Sequence, residues 1–265
     1  MARISIKDLA NLKLEKSPWV MLTCYDATMA RVFDEANVHA LLVGDSAATV
    51  VYGYSDTTPI TEEELLPLVS AVARGSERAL VVADLPFGSY QISPEQALAT
   101  ATRFIKAGAN AVKLEGGVTI RKQVEKLVNS GIAVMGHVGL TPQSANALGG
   151  YKVQGRGQDR EKIIQDAAAL EAAGAFAIVL EVIPQDLAQE ITHAISIPTI
   201  GIGAGVETDA QVLVWQDLLG LTPEPLPKFV ERYANLESEI TSVVEKFKQD
   251  VKNKIYPDSS HWYHA

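Results

Sequence analysis

Eight short apolar runs alternate with helix-like segments from residue 18 onward, and their unbroken character constrains the fold most. They are WVMLTCYD (19–26), ALLVGDS (40–46), ALVVADLP (79–86), AVKLEGG (111–117), AVMGHVGL (133–140), AIVLEVIP (177–184), PTIGIGAG (198–205) and a weaker QVLVWQDLLG (211–220). A strand with one face in water alternates apolar and polar residues. Continuous Val/Ile/Leu runs fit parallel strands covered on both faces.

The intervening segments carry helix signals. Thr61–Arg74 opens with Thr61 and Glu64 in capping-box spacing. Ser93–Lys106 has Pro94 just inside its start, where a missing N–H costs nothing. Thr119–Ser130, Asp159–Ala173, Gln185–Ala194 and Glu207–Val214 also read as helices, and Asp26 as the cap of the first. KAGANAVKLE (106–115) resembles AAGAFAIVLE (172–181) at an offset of 66 residues. Two strand–helix units of roughly 33 residues give that offset, and eight need about 264 residues. The expected fold is α/β: one (β/α)8 barrel domain over residues 1–265, with a doubly wound open sheet as runner-up. Residues 229–254 read as one long terminal helix with Val243, Val244, Phe247 and Val251 on a stripe. The tail 257–265 reads as a polar, aromatic frayed end.

Composition excludes several classes. With 47% hydrophobic and 21% charged residues the chain is an ordinary globular one. Cys24 is the single cysteine, so no intramolecular disulfide or multi-cysteine zinc site is available. Segment 1–17 has no apolar core, so no secretory leader is expected, and no run approaches a membrane span. A cytoplasmic location follows as the expectation. The net charge is −9 with no basic cluster, so neither nucleic acid nor an acidic membrane is an expected partner.

Titratable residues collect at the strand ends. Asp45 ends the second run, Asp84 the third, His137 the fifth and Glu181 the sixth. Lys113 and Glu115 lie two apart in the fourth and share a face. A barrel carries its active site at the C-terminal ends of its strands. Buried charge is costly, so random placement would scatter such groups. Asp45, Asp84 and Glu115 come from three successive runs; in adjacent strands about 4.8 Å apart they would repel without a cation between them. Hard oxygen donors suit Mg²⁺, with Mn²⁺ or Co²⁺ as substitutes. The alternative is that each caps a helix or pairs with a lysine.

Lys113 is either a Schiff-base lysine or an ammonium donor to a substrate oxygen, the second favoured beside Glu115 and a metal. His137 is either a ligand contact or a satisfied core histidine. Glu181 stands among apolar neighbours, which disfavour its charged form and suit a general base near neutral pH. The competing reading is a salt bridge at the barrel mouth. Cys24 reads as packing rather than a nucleophile. GIGAG (201–205) is not a dinucleotide fingerprint, which disfavours a nicotinamide enzyme. The glycine-rich stretch 141–157 is long for a compact domain and reads as a lid or binding wall.

The motifs TCYDATMA (23–30), LLVGDS (41–46), VVADLPFGSY (81–90), AVKLEGG (111–117), GHVGLTPQS (136–144), GGYKVQGRG (149–157), VLEVIP (179–184), TIGIGAG (199–205) and PKF (227–229) resemble the ketopantoate hydroxymethyltransferase family over nearly the whole chain. Cys24 departs from it, standing where the family carries a small residue. The resemblance implies a metal-dependent barrel of the phosphoenolpyruvate/pyruvate superfamily. It implies hydroxymethyl transfer from 5,10-methylenetetrahydrofolate to 3-methyl-2-oxobutanoate, giving 2-dehydropantoate for pantothenate biosynthesis through a Mg-stabilised enolate. By that resemblance Asp45, Asp84 and Glu115 hold Mg²⁺. Asp45, Ser46, Asp84 and Lys113 contact the keto acid, with His137 as a further donor. Glu181 accepts the proton, and the enzyme is a homodecamer, a pentamer of dimers. A folate-independent lyase of the same superfamily and a catalytically silent scaffold are the competing readings.

Overall fold

The apolar runs become eight parallel strands that close in sequence order. They are β1 (Trp19–Thr23), β2 (Ala40–Val43), β3 (Leu80–Asp84), β4 (Ala111–Glu115), β5 (Ala133–Gly139), β6 (Ala177–Glu181), β7 (Thr199–Ile202) and β8 (Ala210–Leu213). β8 returns to β1 through Trp19–Ala210 and Met21–Val212, which makes a (β/α)8 barrel and excludes the open sheet. The computed structural model describes residues 2–264. They fall into two compact units that divide between Val214 and Trp215.

In the first unit, in-register pairing points alternate side chains of every strand inward. Met21, Leu42, Val82, Ala111, Met135, Val179, Ile200 and Val212 fill the interior, and Leu9 of the helix Ile6–Leu14 packs against them. Burial of each large apolar side chain there contributes about 1.5–3 kcal/mol. Truncating Met135 to Ala would cost about 2–5 kcal/mol. The expected caps are present. Thr61 and Glu64 form a reciprocal capping box on the helix Glu62–Gly75. Ser93 caps Pro94–Lys106, and Asp26 caps Ala27–Glu35. No described helix is long and apolar enough to cross a membrane.

Three local expectations are corrected. The segment 207–214 is not a helix, because Ala210–Leu213 is β8. Asp209 accepts the Thr199 N–H (2.8 Å) and pairs with Lys13 (2.9 Å), pinning the start of β7. The weak strand expected over 211–220 stops at Leu213 and gives way to the short helix Trp215–Leu218. Stretch 141–157 is partly ordered by one turn of 3₁₀ helix, Pro142–Ser144, and a helical turn, Ala145–Leu148.

In the second unit, the terminal helix runs Leu236–Lys252 and starts later than its hydrophobic pattern suggests. The Asn235 side chain accepts the Ser238 N–H and sets that start. Val243, Val244, Phe247 and Val251 form an exposed stripe along it. The tail turns at Asp258, whose carboxylate accepts from Ser260 and contacts His261. Ala265 lies outside the described residues.

Candidate active site

Strand pairing assembles the charged residues. Asp84 lies opposite Lys113, Glu115 opposite His137, and Gly139 opposite Glu181. Period two then turns Lys113 and Glu115 to the same interior face, above the apolar layers. Asp45 joins from the turn after β2, where its own N–H donates to Asp84 Oδ2 (3.2 Å). Asp45, Asp84, Lys113, Glu115 and His137 are all buried.

The contacts form one continuous array. Lys113 Nζ lies 2.8 Å from Asp84 Oδ1, 3.7 Å from Glu115 Oε1 and 3.2 Å from His137 Nδ1. His137 Nδ1 is 3.4 Å from Glu115 Oε1, and its Nε2 is 3.2 Å from Glu181 Oε2. Glu181 is the most open of the six titratable side chains, 15% exposed at its side chain. Its position is built by the backbone. Gly139 takes φ +96°, and a Cβ there would collide with the Glu181 carbonyl. Val182, directly after Glu181, is held at φ +48°, a left-handed conformation rare for a β-branched residue.

The charges shift one another. Burial pushes Asp45 well above the usual carboxyl range, and Asp84 and Glu115 add to it. Burial also raises Asp84, opposed by Lys113. Burial would raise Glu115 as well, but His137, Lys113 and the Gln143 N–H outweigh it and lower it. Burial works against the Lys113 ammonium, yet Asp84 and Glu115 hold it above the ordinary lysine range. A lysine kept charged is a donor, not the free amine that a Schiff base requires. Burial and Lys113 push His137 down, contacts with Glu115 and Glu181 push it up, and it settles at about 9. Burial raises the Cys24 thiol to about 12, in keeping with packing rather than nucleophilic use.

Sequence reasoning did not single out three polar residues here. Gln143 is buried among the carboxylates, and Tyr90 donates to it. Tyr25 shares a hydrogen bond with Ser46 Oγ (2.8 Å). Each sits inside a quoted motif, but an uncharged amide or phenol carries no periodic signal. The one available cue is that Gln143 follows β5 by four residues, at the catalytic end of a barrel strand.

The donor set bears on the metal. Asp84 Oδ1 and Glu115 Oε1 are buried and face the Lys113 ammonium and the His137 ring. Among the described residues no group of three or more His, Cys, Asp and Glu side chains is arranged to enclose an ion. The Lys113 ammonium lies against two of the three carboxylates instead. Hard carboxylate oxygens of this kind fit Mg²⁺, which is usually held by one or two carboxylates plus waters and substrate.

A closed parallel barrel with carboxylates, an ammonium and an imidazole joined at the C-terminal ends of its strands is the architecture of a barrel enzyme. A family model described as ketopantoate hydroxymethyltransferase matches residues 3–259. A protein of Acidothermus cellulolyticus named 3-methyl-2-oxobutanoate hydroxymethyltransferase is 58% identical, over 98% of this chain and 97% of its own length. One of Frankia alni with the same name is 57% identical over 99% of this chain and 87% of its own. The chain belongs to the ketopantoate hydroxymethyltransferase family. A solved phosphonopyruvate hydrolase complexed with oxalate and Mg²⁺ shares the fold at TM-score 0.64 and 13% identity, covering 100% of this chain and 93% of that one. So does a 2,3-dimethylmalate lyase of the PEP mutase/isocitrate lyase superfamily, at TM-score 0.61 and 16% identity, covering 99% and 93%.

Proposed function

We propose that this site transfers a hydroxymethyl group from 5,10-methylenetetrahydrofolate to 3-methyl-2-oxobutanoate, giving 2-dehydropantoate for pantothenate biosynthesis. The names of the relatives support the acceptor and the group transferred. The observation that carries the chemistry is the imidazole of His137 between Glu115 and Glu181. It ties the Glu181 carboxylate, 15% exposed, to the buried charge cluster.

Glu181 is the base that removes the C3 proton of the keto acid. His137 Nε2 steadies its charge and direction. As the enolate forms, negative charge gathers on the former keto oxygen, and Lys113 donates to it from a dry, prearranged position. Asp84 keeps that ammonium charged and aimed. Asp45, Asp84 and Glu115 would hold Mg²⁺, which when bound supplies Lewis acidity toward the keto-acid oxygens. Ser46, whose hydroxyl shares a hydrogen bond with Tyr25, bonds the substrate. The enolate carbon forms a bond to the methylene carbon, both carbon–nitrogen bonds to that carbon break, and water supplies the hydroxyl; the two folate nitrogens take up the proton removed from C3 and the other proton of the water, and tetrahydrofolate leaves. Stretch 141–157 is the wall for the folate.

Proton NMR of 3-methyl-2-oxobutanoate in D₂O tests the reading. Enzyme with Mg²⁺ should erase the C3 proton signal without folate, EDTA should stop the loss, and 2-dehydropantoate should appear only with the folate. No exchange under any condition would overturn the enolate step, and cleavage of the keto acid without folate would point to a lyase. Assembly as a homodecamer in the cytoplasm belongs to the same proposal. Light scattering should return ten times the 28.5 kDa chain mass.

A further inference from the structure

We propose that Gln143 is a positioning residue of this site: it sets where Asp45 and Glu115 point. The inference rests on reading the cluster as the keto-acid site. Gln143 lies in the 3₁₀ turn after β5 and is 4% exposed. Its backbone N–H donates to Glu115 Oε2 (3.0 Å). Its side-chain Nε2 donates to Asp45 Oδ2 and to the Leu85 carbonyl, both at 3.0 Å. Its Oε1 accepts from the Tyr90 hydroxyl (2.8 Å), which itself accepts the Glu115 N–H (3.2 Å).

One neutral side chain therefore joins the ends of β2, β3 and β4 from the loop after β5. Its orientation is determined by its partners. The Leu85 carbonyl can only accept, so the amide nitrogen must face Leu85 and Asp45, and the oxygen must face Tyr90. Gln143 engages one oxygen of each carboxylate, Asp45 Oδ2 and Glu115 Oε2. That leaves Glu115 Oε1 toward Lys113 and His137, and Asp45 Oδ1 for a ligand. A charged residue in the same place would disturb the balance of the cluster; an amide does not. The arrangement also makes the start of stretch 141–157 and the carboxylate pair a single hydrogen-bonded unit.

Gln143→Glu keeps the shape but puts an oxygen against Asp45. It should raise KM for 3-methyl-2-oxobutanoate roughly 10- to 100-fold, the range for losing a bond to a charged group. Its calorimetric affinity for the keto acid with Mg²⁺ and no folate should fall in parallel. Tyr90→Phe should move KM the same way by less, and the double variant should lose less than the product of the two. A purely structural role would reduce the active fraction, hence kcat, and leave KM alone. Wild-type KM and affinity in Gln143→Glu, or strictly multiplicative effects, would overturn the inference. If Gln143→Glu does not fold, Tyr90→Phe decides: raised KM at unchanged Tm supports the role, and wild-type KM overturns it. Asp84→Asn separates the two levels. If it loses keto-acid binding while Gln143→Glu does not, only the role of Gln143 falls; if it binds as wild type, the site reading falls and takes the inference with it.

Discussion

His137 Nε2 lies 3.2 Å from Glu181 Oε2, and this contact joins the open carboxylate of β6 to the buried charges of β4. The four acidic residues it connects differ in burial. Asp45, Asp84 and Glu115 sit deep, where burial and mutual repulsion make a cation welcome. Glu181 alone stands nearer the surface, 15% exposed at its side chain.

Glu181→Gln keeps the shape and removes the basic oxygen. Turnover and C3 proton exchange should fall by about 10²- to 10⁴-fold. Calorimetry should find keto-acid affinity within a few-fold of wild type. Near-normal exchange would assign the base elsewhere.

Lys113→Met removes the cation between Asp84 and Glu115 while keeping the aliphatic stem. Breaking a buried pair leaves uncompensated charge and costs about 3–5 kcal/mol. Chemical denaturation should show a loss of that size, and a second substitution, Asp84→Asn, should recover part of it. A fully stable Lys113→Met would show that the ammonium is not needed to hold the carboxylates.

Val182 carries left-handed strain next to the proposed base. Val182→Gly should relieve about 1–2 kcal/mol of it, offset by about 0.5–1 kcal/mol of backbone entropy. Thermal stability should therefore match or exceed wild type, while kcat falls because Glu181 loses its fixed direction. A Tm several degrees lower would contradict the strain account.

Asp34 supplies a pH-dependent stability contribution away from the site. It accepts the N–H groups of Glu77, Arg78 and Ala79 that lead into β3. Partial burial opposes the charged form, but these donors outweigh it and hold the carboxyl below its ordinary 3.8. A depressed native value means stability that is present above the unfolded pKa and lost as pH falls through the native one. Asp34→Asn should cost about 1–2 kcal/mol at pH 7, and the difference from wild type should shrink as pH falls from the ordinary carboxyl value through the lowered native one. A difference independent of pH would assign the effect to packing.

Much of this was legible from the chain. Val81–Val82 and Ile178–Val179 read as covered parallel strands because a continuous apolar run has no solvated face to explain it. Thr61 with Glu64 and Ser93 with Pro94 marked helix starts because capping is a local interaction. The segment around Asp209 failed for the complementary reason. It read as a helix, but Asp209 pairs with Thr199 and Lys13, which are remote in sequence from a local helix pattern.

The barrel and its six titratable strand-end residues follow from strand periodicity, turn chemistry and the cost of burying charge, all of which act over a few residues. Register and loop path do not. They bring Lys113, rather than solvent, against Asp84 and Glu115 and place His137 between two glutamates. They also carry Gln143 from the far side of β5 to Asp45, 98 residues away in sequence. Such contacts exist only once eight strands have closed, because the free energy that holds them comes from the whole packed interior and not from any local pattern.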